Sequence, residues 1–282
     1  MRPTTLAVIG LEPLGGSLAW QARRAGIPRV IGYSPQPADA VRALKVDAIS
    51  DMALTPEKAV HGADLIVIAA SPTRTAQLIG ALAPQASPDA ILTDVASVKA
   101  PVCRAAAQHG LADRFAGSHP LPASTSATAG RTGPDLLRGA VVYVCPVGSS
   151  QGDQAVRQVM HFWSRVMEAE PVLIEAERHD RQVAWTRHLP QAVSCLLAKT
   201  LAARRLGGVS FGPGARDATR LAAEDPEDWA DLLLENAGPI LEALAKTERE
   251  LTRLQTLLER GDRDGLRSYL ADAAAFRRGI ER

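Results

Sequence analysis

The arrangement of apolar runs constrains this chain more than any other feature. Residues 6–9 (LAVI), 29–33 (RVIGY), 63–70 (ADLIVIAA), 90–95 (AILTDV), 141–145 (VVYVC) and 171–174 (PVLI) read as short strands. Most are apolar at consecutive rather than alternate positions. Residues 16–25, 37–44, 73–82 and 154–167 carry helical spacing between them. A strand with no polar face must be covered on both sides. The pattern therefore predicts an α/β fold, a mostly parallel sheet with helices on each face.

Beyond about residue 176 no clear strand follows. Residues 178–204 form one long helical pattern, and 207–214 are a glycine-rich loop. Helical spacing resumes at Pro226, with Leu241, Leu244, Leu251, Leu254 and Leu258 on one stripe and Gly261 as a C-terminal cap. A last amphipathic helix carries Leu266, Leu270, Ala273 and Phe276. Two domains are expected: residues 1–175, α/β, and residues 176–282, all helical. The leucine stripe either packs within the helical domain or pairs with a second copy of the chain.

Composition excludes several classes. The 282 residues carry 32 Lys+Arg and 31 Asp+Glu, a net charge of +1, so no nucleic-acid footprint exists. Aromatics at 4% argue against base-stacking platforms. Cys103, Cys145 and Cys195 are scattered, which suggests neither a disulfide framework nor a zinc site, and no metal is expected. No apolar run reaches the roughly 20 residues that span a bilayer. Glu12, Pro13 and the Gly15-Gly16 pair interrupt the N-terminal run too early for a signal peptide. A soluble, cytoplasmic protein with no membrane partner is the expectation.

The segment Gly10-Leu-Glu-Pro-Leu-Gly15-Gly16 follows the first strand and opens a helix, the setting of a dinucleotide fingerprint. Gly10 suits the tight turn and Gly15 the close helix packing. With Leu14 and Gly16 they are the candidate pyrophosphate contacts at a helix start. Glu12 stands where the middle glycine is usual. A carboxylate 4 Å from a phosphate charge would cost roughly 4 kcal/mol at an effective dielectric near 20. The second strand ends at Ser34 rather than at an acidic residue. With Ser34 and Gln36 as donors and Arg42 nearby, the expected cofactor is NADP, with NAD possible.

Several stretches together make the chain resemble the prephenate and arogenate dehydrogenases of tyrosine biosynthesis. They are VIGLEPLGGSLA (8–19), DLIVIAASP (64–72), TDVASVK (93–99), FAGSHPL (115–121), ERHDRQVAWTRHLP (177–190) and ARDATRLAAEDPEDW (215–229). They occur in family order across most of the chain. The resemblance implies an N-terminal Rossmann domain and a C-terminal helical domain that dimerises and closes over substrate. It implies a nicotinamide-dependent oxidative decarboxylation that leaves an aromatic ring.

By the same resemblance His119 is the catalytic acid/base, with Ser97 near it and the nicotinamide. Ala70, Ser71 and Pro72 join the cofactor contacts. Arg220 is the arginine that holds a substrate carboxylate, a task suited to a planar guanidinium. Arg216, one helical turn earlier, either lines the same face or makes a surface ion pair with Asp217 or Glu224. His188 lies where the helical domain closes. Arg187 stands where a serine is usual, and Gln191 where many prephenate-specific members carry another histidine. The Ser/Thr-rich loop 122–133 also departs from the family pattern. These departures lean toward arogenate or relaxed specificity. Lys99 is either a site residue or a solvated loop lysine. His61, His109, His161 and His179 match no chemical motif and read as surface or packing residues. Asp180 reads as an organiser of the helix between domains. No appended mutase or regulatory domain is expected, which would put any tyrosine feedback at the active site. Two alternatives remain: a dehydrogenase of an amino-substituted prephenate analogue, and a catalytically silent dimeric relative, suggested by Glu12.

Overall fold

The computed structural model describes residues 3–122, 133–147, 154–203 and 211–280. Most of the loop 122–133 and the first part of the loop 207–214 lie outside the described residues. The elements run β1 (Thr5–Ile9), α1 (Pro13–Arg24), β2 (Arg29–Tyr33), α2 (Pro37–Lys45), β3 (Asp51–Met52), α3 (Pro56–Val60), β4 (Leu65–Ile68), α4 (Pro72–Leu82), β5 (Ile91–Asp94) and α5 (Ala100–Gln108). There follow β6 (Ala116–Leu121), β7 (Val141–Pro146), α6 (Gln154–His161), β8 (Glu170–Leu173), α7 (Ala176–Val183), α8 (Leu189–Ala203), α9 (Pro213–Ala218), α10 (Pro226–Glu235), α11 (Ala237–Glu259) and α12 (Arg263–Gly279).

The chain divides into two compact units, Met1–Gln182 with Glu224–Asn236, and Val183–Ala223 with Ala237–Arg282. The change of character near residue 175 precedes the first division by one helix.

In the first unit five strands pair in parallel in the order β3-β2-β1-β4-β5. Leu6 and Val8 of β1 face one core cluster, and Ala7 and Ile9 face the other. That double burial is what the consecutive apolar runs predict. Each fully buried Leu, Ile or Val contributes about 1.5–3 kcal/mol. Helices α1 to α5 each carry proline in their first two positions, where the missing N–H has no partner to lose. Pro13 therefore starts α1 three residues before the expected residue 16.

A second sheet, in the order β6-β7-β8, mixes directions: β6 is antiparallel to β7, and β7 is parallel to β8. Leu92 of β5 bridges Phe115 in parallel, so β6 begins beside β5. The sequence Ala-Gly-Ser-His-Pro-Leu gives no apolar strand signal, and α5 is masked by its small residues.

The second unit is helical throughout its described residues. The helical run expected over 178–204 is present, but it is not regular. α7 ends at Val183, a π turn spans Ala184–His188, and α8 follows directly at Leu189. Pro190 has no N–H to offer the carbonyl four residues earlier, so a regular α ladder cannot pass through. The leucine stripe splits. Leu241, Leu251 and Leu258 of α11 are exposed, while Leu244 and Leu254 are half-buried. Leu270, Phe276 and Ile280 are also exposed. Among the described residues no helix is long and apolar enough to cross a membrane.

Gly10 has φ +104°, and a Cβ there would lie 2.0 Å from the Ala69 carbonyl oxygen. Gly10→Ala is expected to destabilise the protein by about 2–4 kcal/mol in urea unfolding, because strain and overlap add. A loss below 1 kcal/mol would show that the β1–α1 turn is not held as described.

Candidate active site

Strand order places the sequence-predicted cofactor residues side by side. The C-terminal ends of β2, β1, β4 and β5 carry Ser34, the Gly10 turn, Ala70-Ser71-Pro72 and Ser97 in that order. This is the edge at which open α/β sheets bind ligands. Gly10 N–H donates to the Tyr33 carbonyl at 2.8 Å, tying the turn to β2. A Cβ at Gly15 would lie 2.1 Å from the Gly10 carbonyl oxygen and 2.8 Å from Ala69 Cβ. The turn, α1 and β4 thus meet backbone to backbone, the close approach that a pyrophosphate cradle requires.

Glu12 occupies the N-cap of α1 with φ −58°, and its side chain is exposed. That φ suits any residue, so a glycine is not demanded at position 12. Ser71 caps α4 by accepting Arg74 N–H, and Thr75 donates to the Ala70 carbonyl at 3.2 Å.

The end of β2 holds one feature that its own residues do not show, a carboxylate supplied by the next helix. Asp39, in the first turn of α2, folds back over the strand end. Ser34 Oγ donates to Asp39 Oδ2 at 3.1 Å and accepts Gln36 N–H at 3.3 Å. Arg42 is ion-paired to the same Asp39 carboxylate. Both capacities of the Ser34 hydroxyl are used within the protein, and its donor is spent on a carboxylate.

His119 lies within β6, opposite Tyr143 of β7, and is 2% exposed. The residue before it is clamped. Asp94 Oδ1 accepts Ser118 N–H at 3.0 Å, and Lys99 Nζ donates to the Ser118 carbonyl at 2.7 Å. Lys99 and Asp94 form an ion pair with both side chains fully buried. Lys99 is therefore not a solvated loop lysine. The Ser118 hydroxyl accepts Trp163 Nε1–H at 2.9 Å and lies 2.7 Å from Thr93 Oγ1, which itself donates to the Ala116 carbonyl. Ser97, at the end of β5, is half-buried.

His179 is neither a surface residue nor packing alone. Its Nε2 lies 2.9 Å from His119 Nδ1, and its Nδ1 lies 2.8 Å from Asp180 Oδ1. Burial pushes the His179 pKa below the usual histidine value against the upward pull of Asp180. Asp180 Oδ1 also accepts Lys99 N–H, and Oδ2 accepts Ala100 N–H, both at 2.7 Å. Asp180 thereby caps α5, where a carboxylate also complements the helix dipole. The sequence hides this group because residues 119 and 179 are 60 positions apart. The only signal was a His-Asp pair at the start of a helix.

In the second unit Gln191 and Ser194 of α8 hold the segment that carries Arg220. Gln191 Nε2 donates to the Leu221 carbonyl at 2.9 Å. Ser194 Oγ donates to the Ala218 carbonyl at 3.0 Å and accepts Ala222 N–H at 3.2 Å. Gln191 Oε1 is buried with no hydrogen-bond partner among the described residues. Arg187 and His188 lie on the π turn, the first exposed and the second buried. Arg216 and Arg220 do not share one helical face. α9 ends at Ala218, and Arg220 opens a separate 3-10 turn. Both arginines are exposed.

A Rossmann edge with a glycine cradle, next to a buried and oriented histidine, defines a nicotinamide-dinucleotide dehydrogenase. Residues 18–169 match the nucleotide-binding domain of prephenate dehydrogenase, and residues 175–272 match its dimerization domain. The chain belongs to the prephenate dehydrogenase family, and its enzymes are NAD(P)-dependent oxidoreductases. It is 30% identical to the prephenate dehydrogenase of Bacillus subtilis over 98% of this chain and 76% of that one. The Aquifex aeolicus prephenate dehydrogenase structure, with hydroxyphenyl propionate and NAD+, superposes with a TM-score of 0.88 at 26% identity, covering 98% of each chain. The Synechocystis arogenate dehydrogenase structure gives 0.82 at 26% identity over 98% of this chain and 99% of that one.

Two stability predictions follow from the buried charges. Lys99→Met strands Asp94 as an unpaired buried carboxylate and is expected to destabilise the fold by about 3–5 kcal/mol in urea, where a surface pair would lose under 1 kcal/mol. Because burial depresses the His179 pKa, the unfolded chain binds a proton there before the folded chain does. Stability from this residue is present above the ordinary histidine pKa of about 6.5 and is lost as pH falls below it. The stability-pH curve of His179→Gln should be flatter below pH 6.5 than that of the wild type, and parallel curves would contradict the assignment.

Proposed function

We propose that the protein catalyses NAD-dependent oxidative decarboxylation of arogenate, with prephenate as the poorer substrate, as a homodimer. The observation that carries the reaction is His119, buried in β6 beside β5, whose end supplies Ser97 to the dinucleotide edge. When bound, the nicotinamide accepts the hydride from the carbinol carbon of the substrate. His119 takes the hydroxyl proton as that hydride leaves, a role suited to an imidazole. The carboxylate departs as CO₂, the ring becomes aromatic, and His119 returns the proton to the phenolic oxygen, so no net proton is consumed. Ser97 hydrogen-bonds the same hydroxyl. Arg220 pairs with the side-chain carboxylate, and His188, Arg187 and Arg216 are further candidate contacts.

Asp39 supports NAD rather than the NADP that the bare sequence suggests. A 2′-phosphate would meet the Asp39 carboxylate and a Ser34 hydroxyl already committed to it, whereas a ribose 2′-hydroxyl can donate to that carboxylate. Wild-type kcat/KM is expected to favour NAD over NADP by at least about tenfold, or ~1.4 kcal/mol. Asp39→Ala should narrow that ratio. A wild-type preference for NADP would refute the assignment.

Gln191 supports arogenate. The Leu221 carbonyl can only accept, so it fixes the amide nitrogen toward itself and leaves Oε1 as a buried acceptor beside the Arg220 turn. The arogenate ammonium can donate there. The keto oxygen of prephenate cannot, and an acceptor left unsatisfied costs about 1–3 kcal/mol. Arogenate should therefore exceed prephenate in kcat/KM by about tenfold or more, and Gln191→His should shrink the difference. Equal rates in the wild type would remove the argument.

The exposed Leu241, Leu251, Leu258 and Leu270 lie in the segment matched by the dimerization domain and support pairing with a second copy. Both alternatives lose ground: Glu12 leaves the turn intact, so the motive for a silent relative weakens, and nothing among the described residues favours the amino analogue.

A further inference from the structure

We propose that His179 and Asp180 are positioning residues for His119, a hydrogen-bonded chain that sets its tautomer and stabilises the imidazolium formed in each turnover. The inference rests on His119 acting as the base.

The direction of every bond in the chain follows from its far end. The Asp180 carboxylate accepts two backbone N–H groups at the start of α5, from Lys99 and Ala100. It can only accept from His179 as well, so His179 Nδ1 carries the proton of the 2.8 Å contact. A neutral His179 then presents Nε2 as an acceptor, and burial favours the neutral ring. His119 Nδ1, 2.9 Å away, must donate to it. His119 is thereby the Nδ1–H tautomer, with Nε2 as its basic nitrogen. This is the tautomer control that a carboxylate gives a catalytic histidine in hydrolytic triads, extended here by one more ring.

The surroundings hold both rings in place. Tyr143 packs edge-on against His179 with centroids 5.3 Å apart, and His119 meets the His179 ring edge-on at 5.1 Å. Tyr143 OH accepts Gln182 Nε2–H, and Asn236 Nδ2 donates to the Asp180 carbonyl at 2.8 Å, which anchors α7. When His119 Nε2 takes the substrate proton, the O–H bond breaks and the N–H bond forms. The new positive charge faces the His179 lone pair, with the Asp180 carboxylate behind it. His179 keeps its own proton throughout.

Nitrogen NMR of histidine-labelled protein reads the tautomer without any turnover. The expected wild-type result is His119 protonated at Nδ1. His179→Leu removes the acceptor and should lower kcat roughly 10²-fold or more, with KM little changed. His179→Gln can accept from His119 through Oε1 and donate to Asp180 through Nε2, so it should recover much of that loss. Asp180→Asn can donate to His179 Nδ1 and should shift His119 toward the Nε2–H form, with a fall in kcat. Wild-type His119 protonated at Nε2, or kcat unchanged in His179→Leu, would overturn the proposal. So would equal losses in the Gln and Leu variants when both remain folded. A wild type with the Nδ1–H tautomer but no dehydrogenase activity would overturn the functional reading and leave the tautomer assignment standing. An active wild type with the Nε2–H tautomer would do the reverse.

Discussion

The buried Lys99–Asp94 ion pair is the constraint on which the rest of the site depends. Two opposite charges removed from water are tolerated only where every remaining lone pair and proton is satisfied. Here that requirement does structural work. Asp94 collects the N–H groups of Ala96 and Ser118, and Lys99 donates to the Ser118 carbonyl. Both backbone groups of Ser118 are thus held by one pair, which sets the strand position of His119. The backbone N–H of Lys99 also donates to Asp180. A single residue therefore ties the strand that carries His119 to the helix that carries its partner His179. A well-packed apolar pair would fill the same volume but would not fix the height of β6 against α7.

A second constraint is steric. Gly10 and Gly15 are the positions where β1, α1 and β4 touch backbone to backbone. The fold of the turn therefore tolerates Glu12, because its backbone is ordinary and its side chain exposed, but it would not tolerate a side chain at Gly10 or Gly15. The order β2-β1-β4-β5 then converts four unrelated loop sequences into one edge.

What the sequence revealed and what it hid divide along the same physical lines. The strands β1, β2, β4 and β5 were legible because burial on both faces forces consecutive apolar residues, a local signal. His119 and Ser97 were singled out as candidates through short motifs. β6 was not legible, because its polar residues are satisfied by Asp94, Lys99, Thr93 and Trp163 rather than by water. His179 was misjudged as a surface or packing residue because its contact with His119 spans 60 residues of sequence. The contact of Asp39 with Ser34 was missed because Asp39 sits six residues past the end of β2 and reaches back from the first turn of α2. The π turn was readable in principle from Pro190.

The exposed leucines of α11 and the unsatisfied acceptor of Gln191 are instances of one rule. Groups that a chain leaves incomplete are where a partner has most to gain by completing them, and the proposed dimer contact and the proposed substrate contact both start from that rule.

The most direct test of the account is a crystal structure of the protein with NAD and hydroxyphenyl propionate. The account predicts the ligand phenol oxygen within hydrogen-bond distance of His119 Nε2, with the His119 Nδ1 to His179 Nε2 contact retained. A phenol oxygen remote from His119, or facing its Nδ1 after the His179 contact has broken, would contradict it.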